Sequence, residues 1–327
     1  MTETLANYSL IAVWSAIAVY ALAFILFTLD LSRRSVLATR AADARAAEAE
    51  RAAERSMAAA NGTTAVLVEA AAPEAEPDTG PRYLRAAIAL TWVAWIVHLG
   101  AAIFRGIAAE RVPWANMFEF SLSATAVMTG VFLLAQFWQD LRYLGAFITG
   151  LVTVWLGVAV LGFYVDVAPL QAPLQSVWLV IHIIVAVLGT GFFALGAALS
   201  LLQLLRQRRD HGGLVRAGYL DSIPAAGRLE DLAYRVNIMG FVFWTFTLIA
   251  GAIWANAAWG RYWGWDTKEV WTFVIWVVFA GYIHARATRG WRGTRAAWLA
   301  IIGFTAVIFN FTIVNVFFKG LHAYSGL

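Results

Sequence analysis

A chain of 327 residues with 61% hydrophobic and only 13% charged side chains is not an ordinary soluble domain, because too little polar surface is available to solvate it. Lipid is the expected solvent, and the net charge of +4 then reports membrane orientation rather than nucleic-acid binding. Without cysteine the chain forms no disulfide and exchanges no thiol, so any redox chemistry must come from a cofactor or a partner.

A bilayer core of roughly 30 Å takes about 20 apolar residues per helix. Eight stretches approach or meet that length: 10–29, 83–104, 117–138, 144–165, 177–205, 236–255, 270–283 and 296–318. The expected fold class is all-α, a polytopic membrane helical bundle of about eight transmembrane helices. The seventh stretch is short unless it borrows the aromatic residues ahead of it. A signal peptide would be a short apolar stretch followed by a small-residue cleavage site, whereas the first span runs on to Leu29 and ends at Arg33 and Arg34, which reads as a retained anchor.

The organisation predicted has three parts: a first transmembrane helix over 1–32, a cytoplasmic charged helix and flexible linker over 33–82, and a membrane domain over 83–327. Residues 38–57, dominated by Ala, Arg and Glu, read as a solvated helix, and AAAPEAEPDTGP after it reads as the linker. His211, beside Gly212 and Gly213, reads as a solvated loop residue. No internal repeat and no phosphate-cradling glycine loop is present, so the chain by itself gives no support for a nucleotide-driven pump.

Basic residues fix the expected sidedness, because cytoplasmic loops retain them. With eight spans, alternate connections hold Arg33 to Arg85, then Arg142, then Arg206 to Arg235, then Arg286 to Arg295. The other face keeps Arg105, Arg111, Arg261, Lys268 and Lys319. Both termini are therefore predicted to be non-cytoplasmic.

Of 16 tryptophans, Trp254, Trp259, Trp263, Trp265 and Trp271 fall in one external stretch near 254–271. An interfacial belt needs one or two rings per helix end. Here Trp259, Tyr262, Trp263 and Trp265 are interleaved with Gly260 and Gly264, so the backbone can turn tightly while the rings face a common surface. Such a platform suits a flat apolar ligand. Asp266 followed by Glu269 has the spacing of a helix cap, which is favoured over an acid–base pair.

Neutral imidazole is the usual protein ligand of haem iron. His182, near the outer end of span five, and His322, after span eight, both fall on the face that carries the tryptophan loop, and a bis-histidine site is expected there. Arg261 and Lys268 on that face could pair with propionates or simply snorkel. His284 lies at the inner end of span seven, and an ionisable residue in a span is a functional hypothesis by default. At about 1.5 Å per residue, His98 lies roughly 9 Å and His284 about 20 Å below the outer end, a poor match for one iron. If His284 is a ligand, its axial partner comes from another chain.

The stretch WGRYWGWDTKEVWTFVIWVVFAGYIHAR closely resembles the tryptophan-rich "WWD" signature of haem-handling proteins, and within them the CcsA/ResC type of System II cytochrome c biogenesis. NIMGFVFWTFTLIAGAIWAN before it, GWRGTRAAWLAIIGFTAVIFNFTIVNVFF and GLHAYSG after it, and PWANMFEF and LQSVWLVIHIIVAVLGTGFF upstream are similar as well. The resemblance implies haem b as cofactor, with His182 and His322 as external ligands flanking the loop residues Trp259, Arg261, Tyr262, Trp263, Trp265, Asp266 and Lys268. It further implies His284 as an intramembrane ligand whose opposite partner lies on a ResB/CcsB-type membrane subunit. The implied activity is that of a haem lyase subunit in the bacterial cytoplasmic membrane, joining haem vinyl groups to the cysteines of a CxxCH apocytochrome c kept reduced by a thiol-reducing partner. One rival is a haem transporter that releases haem non-covalently. Another is a proton- or quinone-handling subunit using His98, His284 and Glu119 as a polar relay, which leaves the loop unexplained.

Overall fold

The computed structural model describes residues 2–60, 82–170, 172–214, 217–288, 290–318 and 320–322. Among these residues there is no strand. In chain order the α-helices are α1 (Thr2–Ala60), α2 (Arg82–Ala109), α3 (Met117–Ala135), α4 (Gly145–Phe163), α5 (Val177–Asp210), α6 (Ala226–Trp259), α7 (Thr267–Thr288), α8 (Thr294–Phe311) and the short α9 (Ile313–Phe317). Eight helical stretches, one of them running through α8 and α9, are long and apolar enough to cross a membrane. The all-α bundle of eight spans read from hydropathy is thus the fold. The seventh span reaches sufficient length by starting at Thr267, inside the aromatic stretch, and running on to Thr288. A single helix, α1, carries both the first apolar stretch and the charged stretch 38–57. The linker expected after it, like Arg216, Arg289 and Lys319, lies outside the described residues.

The first two spans are joined by a seam that hydropathy conceals. Buried positions on α1 are Ser9, Val13, Ala16, Tyr20, Ala23, Phe27 and Asp30, and on α2 Leu84, Ala87, Thr91, Ala94, His98, Ala101, Arg105 and Ala108. Both series alternate steps of three and four residues, the spacing of a left-handed helix pair. In lipid, association depends on close packing and interhelical hydrogen bonds rather than apolar burial. The alanines let the backbones approach, and Ser9 Oγ donates to Ala101 O across the seam at 2.8 Å.

The α5–α6 pair uses glycine for the same purpose. A Cβ at Gly196 would lie 2.1 Å from Asn237 Oδ1, so only glycine admits that side chain. Phe193 of α5 then stacks on Phe279 of α7 with ring centroids 3.5 Å apart, which brings α7 against the pair. Polar caps start two of the helices: Asn116 Oδ1 accepts from Glu119 N at 2.9 Å, and Ser176 Oγ accepts from Trp178 N at 3.2 Å.

Charge is divided between the two ends of the bundle. At the end holding the α6–α7 connection, Glu119 is fully buried and ion-paired with Arg105 at 3.0 Å and Arg111 at 2.6 Å. Arg105 Nη2 donates to Val165 O (2.7 Å) and Arg111 Nη2 to Ala168 O (3.3 Å), so this cluster ties the α4–α5 connection to α2 and α3. At the opposite end Arg286 pairs with Asp231 (2.7 Å), Arg209 with Asp221 (2.9 Å) and Arg142 with Asp140 (2.6 Å).

Candidate functional site

At the end carrying the tryptophan loop, a cavity of about 200 Å³ opens among α3 to α9. Its wall is largely aromatic and aliphatic, with contributions from Trp114, Trp155, Trp244, Trp254 and Phe311. His182, His322 and Lys268 also line it.

His182 sits early in α5, and its Nδ1 lies 2.9 Å from Thr247 O of α6. A carbonyl only accepts, so Nδ1 carries the proton and Nε2 keeps its lone pair. The ring lies nearly parallel to Trp254, at 17° with centroids 5.9 Å apart. Space for it is made by Gly251, where a Cβ would come within 2.8 Å of the imidazole Cε1.

His322 is held in the equivalent way from the other side. Its Nδ1 lies 2.5 Å from Asp266 Oδ2, and its ring meets Trp254 and Trp259 edge-on at centroid distances of 5.4 and 4.8 Å. The bond to His322 is the largest influence holding the Asp266 carboxyl below the usual carboxylate range. Among the described residues neither histidine's Nε2 has a hydrogen-bond partner. Trp254, 2% exposed, touches both imidazoles and donates Nε1 to Pro173 O at 2.9 Å, which pins the connection that leads into α5.

The loop between α6 and α7 is built around Glu269. Gly260, at φ +71°, ends α6 in the left-handed conformation that favours glycine. Glu269 Oε2 accepts from Gly264 N (2.8 Å) and from Asp266 N (3.1 Å), and its Oε1 pairs with Arg261 at 3.4 Å. The bond to Asp266 N is one half of a capping box, as the spacing suggested. The Asp266 side chain turns instead to His322. Trp265 has φ +60°, strained for a bulky residue, and is 77% exposed, while Tyr262 is 61% exposed. Trp263 packs edge-on against Trp265 at 5.9 Å. The tryptophans thus divide: Trp254 and Trp259 pack around His322, Trp263 is half-buried against Trp265 and Phe273, Trp265 stands at the surface, and Trp271 lies against Phe309 with centroids 4.4 Å apart.

Lys268 Nζ bonds Asn315 Oδ1 beside the cavity, whereas Arg261, paired with Glu269, lies 5.9 Å over the Trp259 ring. His284 is exposed on the face of α7 that also carries Phe273, Val277 and Gly281, away from the cavity. His98 is fully buried with both ring nitrogens engaged, Nε2 on Leu122 O at 2.9 Å and Nδ1 against Tyr20 Oη at 3.4 Å. His98, His284 and Glu119 therefore form no relay. Sequence reasoning missed Gly251, Trp254 as the ring shared by both histidines, and Thr247 O. Gly251 and Thr247 have no signal in the sequence beyond their place in an apolar run, while Trp254 is marked only as a member of the tryptophan-dense stretch.

A family model described as cytochrome C assembly protein matches residues 87–322. The chain belongs to the cytochrome c assembly family. It is similar to "Cytochrome c biogenesis protein CcsA" of Trieres chinensis, 33% identical over 252 residues that cover 68% of this chain and 81% of that one. The protein of the same name from Gloeobacter violaceus is 32% identical over 289 residues, covering 72% and 85%. Together these place the chain with the CcsA type. A solved structure, "Cytochrome c Heme Lyase CcmF", superposes with a TM-score of 0.62 at 17% identity, a likeness of fold alone. It covers 94% of this chain, which in turn spans 46% of that larger protein.

Proposed function

We propose that the chain is the haem-lyase subunit of a cytochrome c maturation complex, with haem b held between His182 and His322. The observation that carries this reading is the matched pair of imidazoles lining one aromatic cavity. In each, Nδ1 is fixed by an acceptor from another segment and Nε2 is left free. Metal-bound histidines are characteristically oriented in this way, by a carbonyl or carboxylate on the second nitrogen.

Bound haem would supply the vinyl groups across which the thiols of a CxxCH apocytochrome add, each sulfur taking one carbon and its proton the other. The chain's own part is orientation. His182 and His322 would hold the iron, and a cavity of about 200 Å³, below the roughly 300–1,000 Å³ of typical ligand pockets, would enclose only part of a macrocycle. The loop rings Tyr262, Trp263 and Trp265 would be placed to meet an edge left outside, where a second protein could reach it. Holding reactants in line supplies much of such a barrier. Arg261, paired with Glu269 over the Trp259 ring, would add positive charge at the rim of the site. A cysteine-free chain offers no competing thiol. The same site would serve a transporter that releases haem unattached, and only the family of the chain favours ligation.

The exposed face of α7 with His284 is proposed to meet a ResB/CcsB-type subunit, and a separate reductant keeps the apocytochrome thiols free. The bundle is proposed to lie in the bacterial cytoplasmic membrane with its loop end and both termini outside. Reporter fusions at Gly212 and after Leu327 should read cytoplasm and exterior respectively, and the reverse would make ligation to exported apocytochromes untenable. The test of function is His182→Ala and His322→Ala. Each should abolish cytochrome c maturation with protein still in the membrane, and imidazole should partly restore it. Normal maturation by both variants would refute the site.

A further inference from the structure

Lys268 stands out among the residues of the cavity. It lines the cavity, and its Nζ is bonded only to the neutral Asn315 side chain, with no ion pair among the described residues. The nearby carboxylates are already engaged: Asp266 by His322, Glu269 by Arg261, and Glu119 by Arg105 and Arg111. Asp266 acts on Lys268 from a distance, but an ammonium beside an apolar cavity with no carboxylate in direct contact is costly unless an anion completes it. A second polar group lies on the same wall. Asn310, 5% exposed, donates Nδ2 to Thr272 Oγ1 at 3.2 Å and leaves its Oδ1 buried and unpartnered. Thr272 Oγ1 gives its own hydrogen to Lys268 O at 2.7 Å, which holds the amide in this orientation and leaves Oδ1 an acceptor that cannot bond a carboxylate. Arg261, the other cation of the loop, does not line the cavity.

Resting on the bis-histidine reading above, we infer that Lys268, with Asn315, forms a subsite for one carboxylate of the tetrapyrrole and thereby sets the ring's rotation. Two axial imidazoles define only a line through the iron, about which the macrocycle can turn. One anchored carboxylate removes that freedom. Because propionates and vinyls occupy different edges of haem, fixing the first decides which edge meets the tryptophan loop. Lys268 is in this sense a positioning residue, distinct from the histidines that hold the iron.

The full-length protein, purified in detergent, is titrated with haem and separately with haem dimethyl ester, which keeps the ring and iron but lacks both carboxylates. The Soret band reports binding. Since a hydrogen bond to a charged group contributes about 1.5–3 kcal/mol, wild type should prefer haem over the ester by about 10- to 100-fold. Lys268→Met should bind the two alike while keeping a low-spin, bis-imidazole spectrum, and Lys268→Arg should keep most of the preference. If Lys268→Met does not yield stable protein, Lys268→Gln and Asn315→Leu provide the same comparison. Retention of the full preference in Lys268→Met, or its absence in wild type, overturns the subsite while leaving the axial pair intact. A wild type that gives no low-spin spectrum with either ligand overturns the bis-histidine reading itself, and the subsite with it.

Discussion

His322 Nδ1 lies 2.5 Å from Asp266 Oδ2, joining the segment after the last helix to the residue that starts α7. The carboxylate orients the imidazole and raises the electron density at its free nitrogen. Replacing such an outer partner of a metal ligand typically costs 10- to 100-fold in affinity. Asp266→Ala should therefore weaken haem binding by about 10- to 100-fold, with His322 still present. A dissociation constant equal to wild type, measured by Soret titration, would show that the bond does not prepare the ligand.

Gly251→Ala sets local stability against the site. Alanine is favoured over glycine in a helix by about 1 kcal/mol, and α6 continues past this position. The added Cβ, however, would lie 2.8 Å from His182 Cε1 and 2.9 Å from Nδ1, so the ring must move off Thr247 O. The variant should unfold no earlier than wild type on heating in detergent, yet lose much of its haem. Full haem content would contradict the proposed role of His182.

Glu119 carries the charge balance of the loop end. Glu119→Gln would leave the guanidinium of Arg105, 1% exposed, and that of Arg111 without a carboxylate. Breaking a buried pair from one side costs about 3–5 kcal/mol. A drop in the melting temperature of the purified protein is expected, with a smaller drop for Glu119→Asp. Thermal unfolding unchanged by Glu119→Gln would mean that water, rather than Glu119, satisfies the arginines.

His98 and His284 should respond in opposite ways. His98→Ala empties a packed seam and leaves the Leu122 carbonyl and Tyr20 hydroxyl without their partner, so stability falls. Haem bound per folded molecule should stay the same. His284→Ala removes an exposed side chain, so the fold should persist while haem recovered with the partner subunit decreases. Equal loss of haem in both variants, with both proteins stable, would place the two histidines in one intrachain site.

Hydropathy made the eight spans legible because an apolar run of sufficient length has few alternatives in lipid. The same uniformity hid how they pack. In the α1–α2 seam, buried and lipid-facing positions are apolar alike, and the buried set even includes Thr91, His98 and Arg105. Tryptophan density marked the loop, and loop sidedness put His182 and His322 at one end. Neither could reveal Trp254 in contact with both, since a ring about a turn and a half before a helix end reads as an ordinary anchor. Asp266 was legible only as a cap, because its link to His322 joins residues 56 apart in sequence.

The acceptors that hold the two imidazoles share one piece of chain. Thr247 belongs to α6, and Asp266 ends the loop that follows it. His182 and His322 come from different segments, but both take their orientation from this stretch of 20 residues. A small tilt of the outer turns of α6 would disturb both rings at once. On the haem-lyase reading proposed above, discharge of a finished product would then be concerted, with both grips loosening in a single movement.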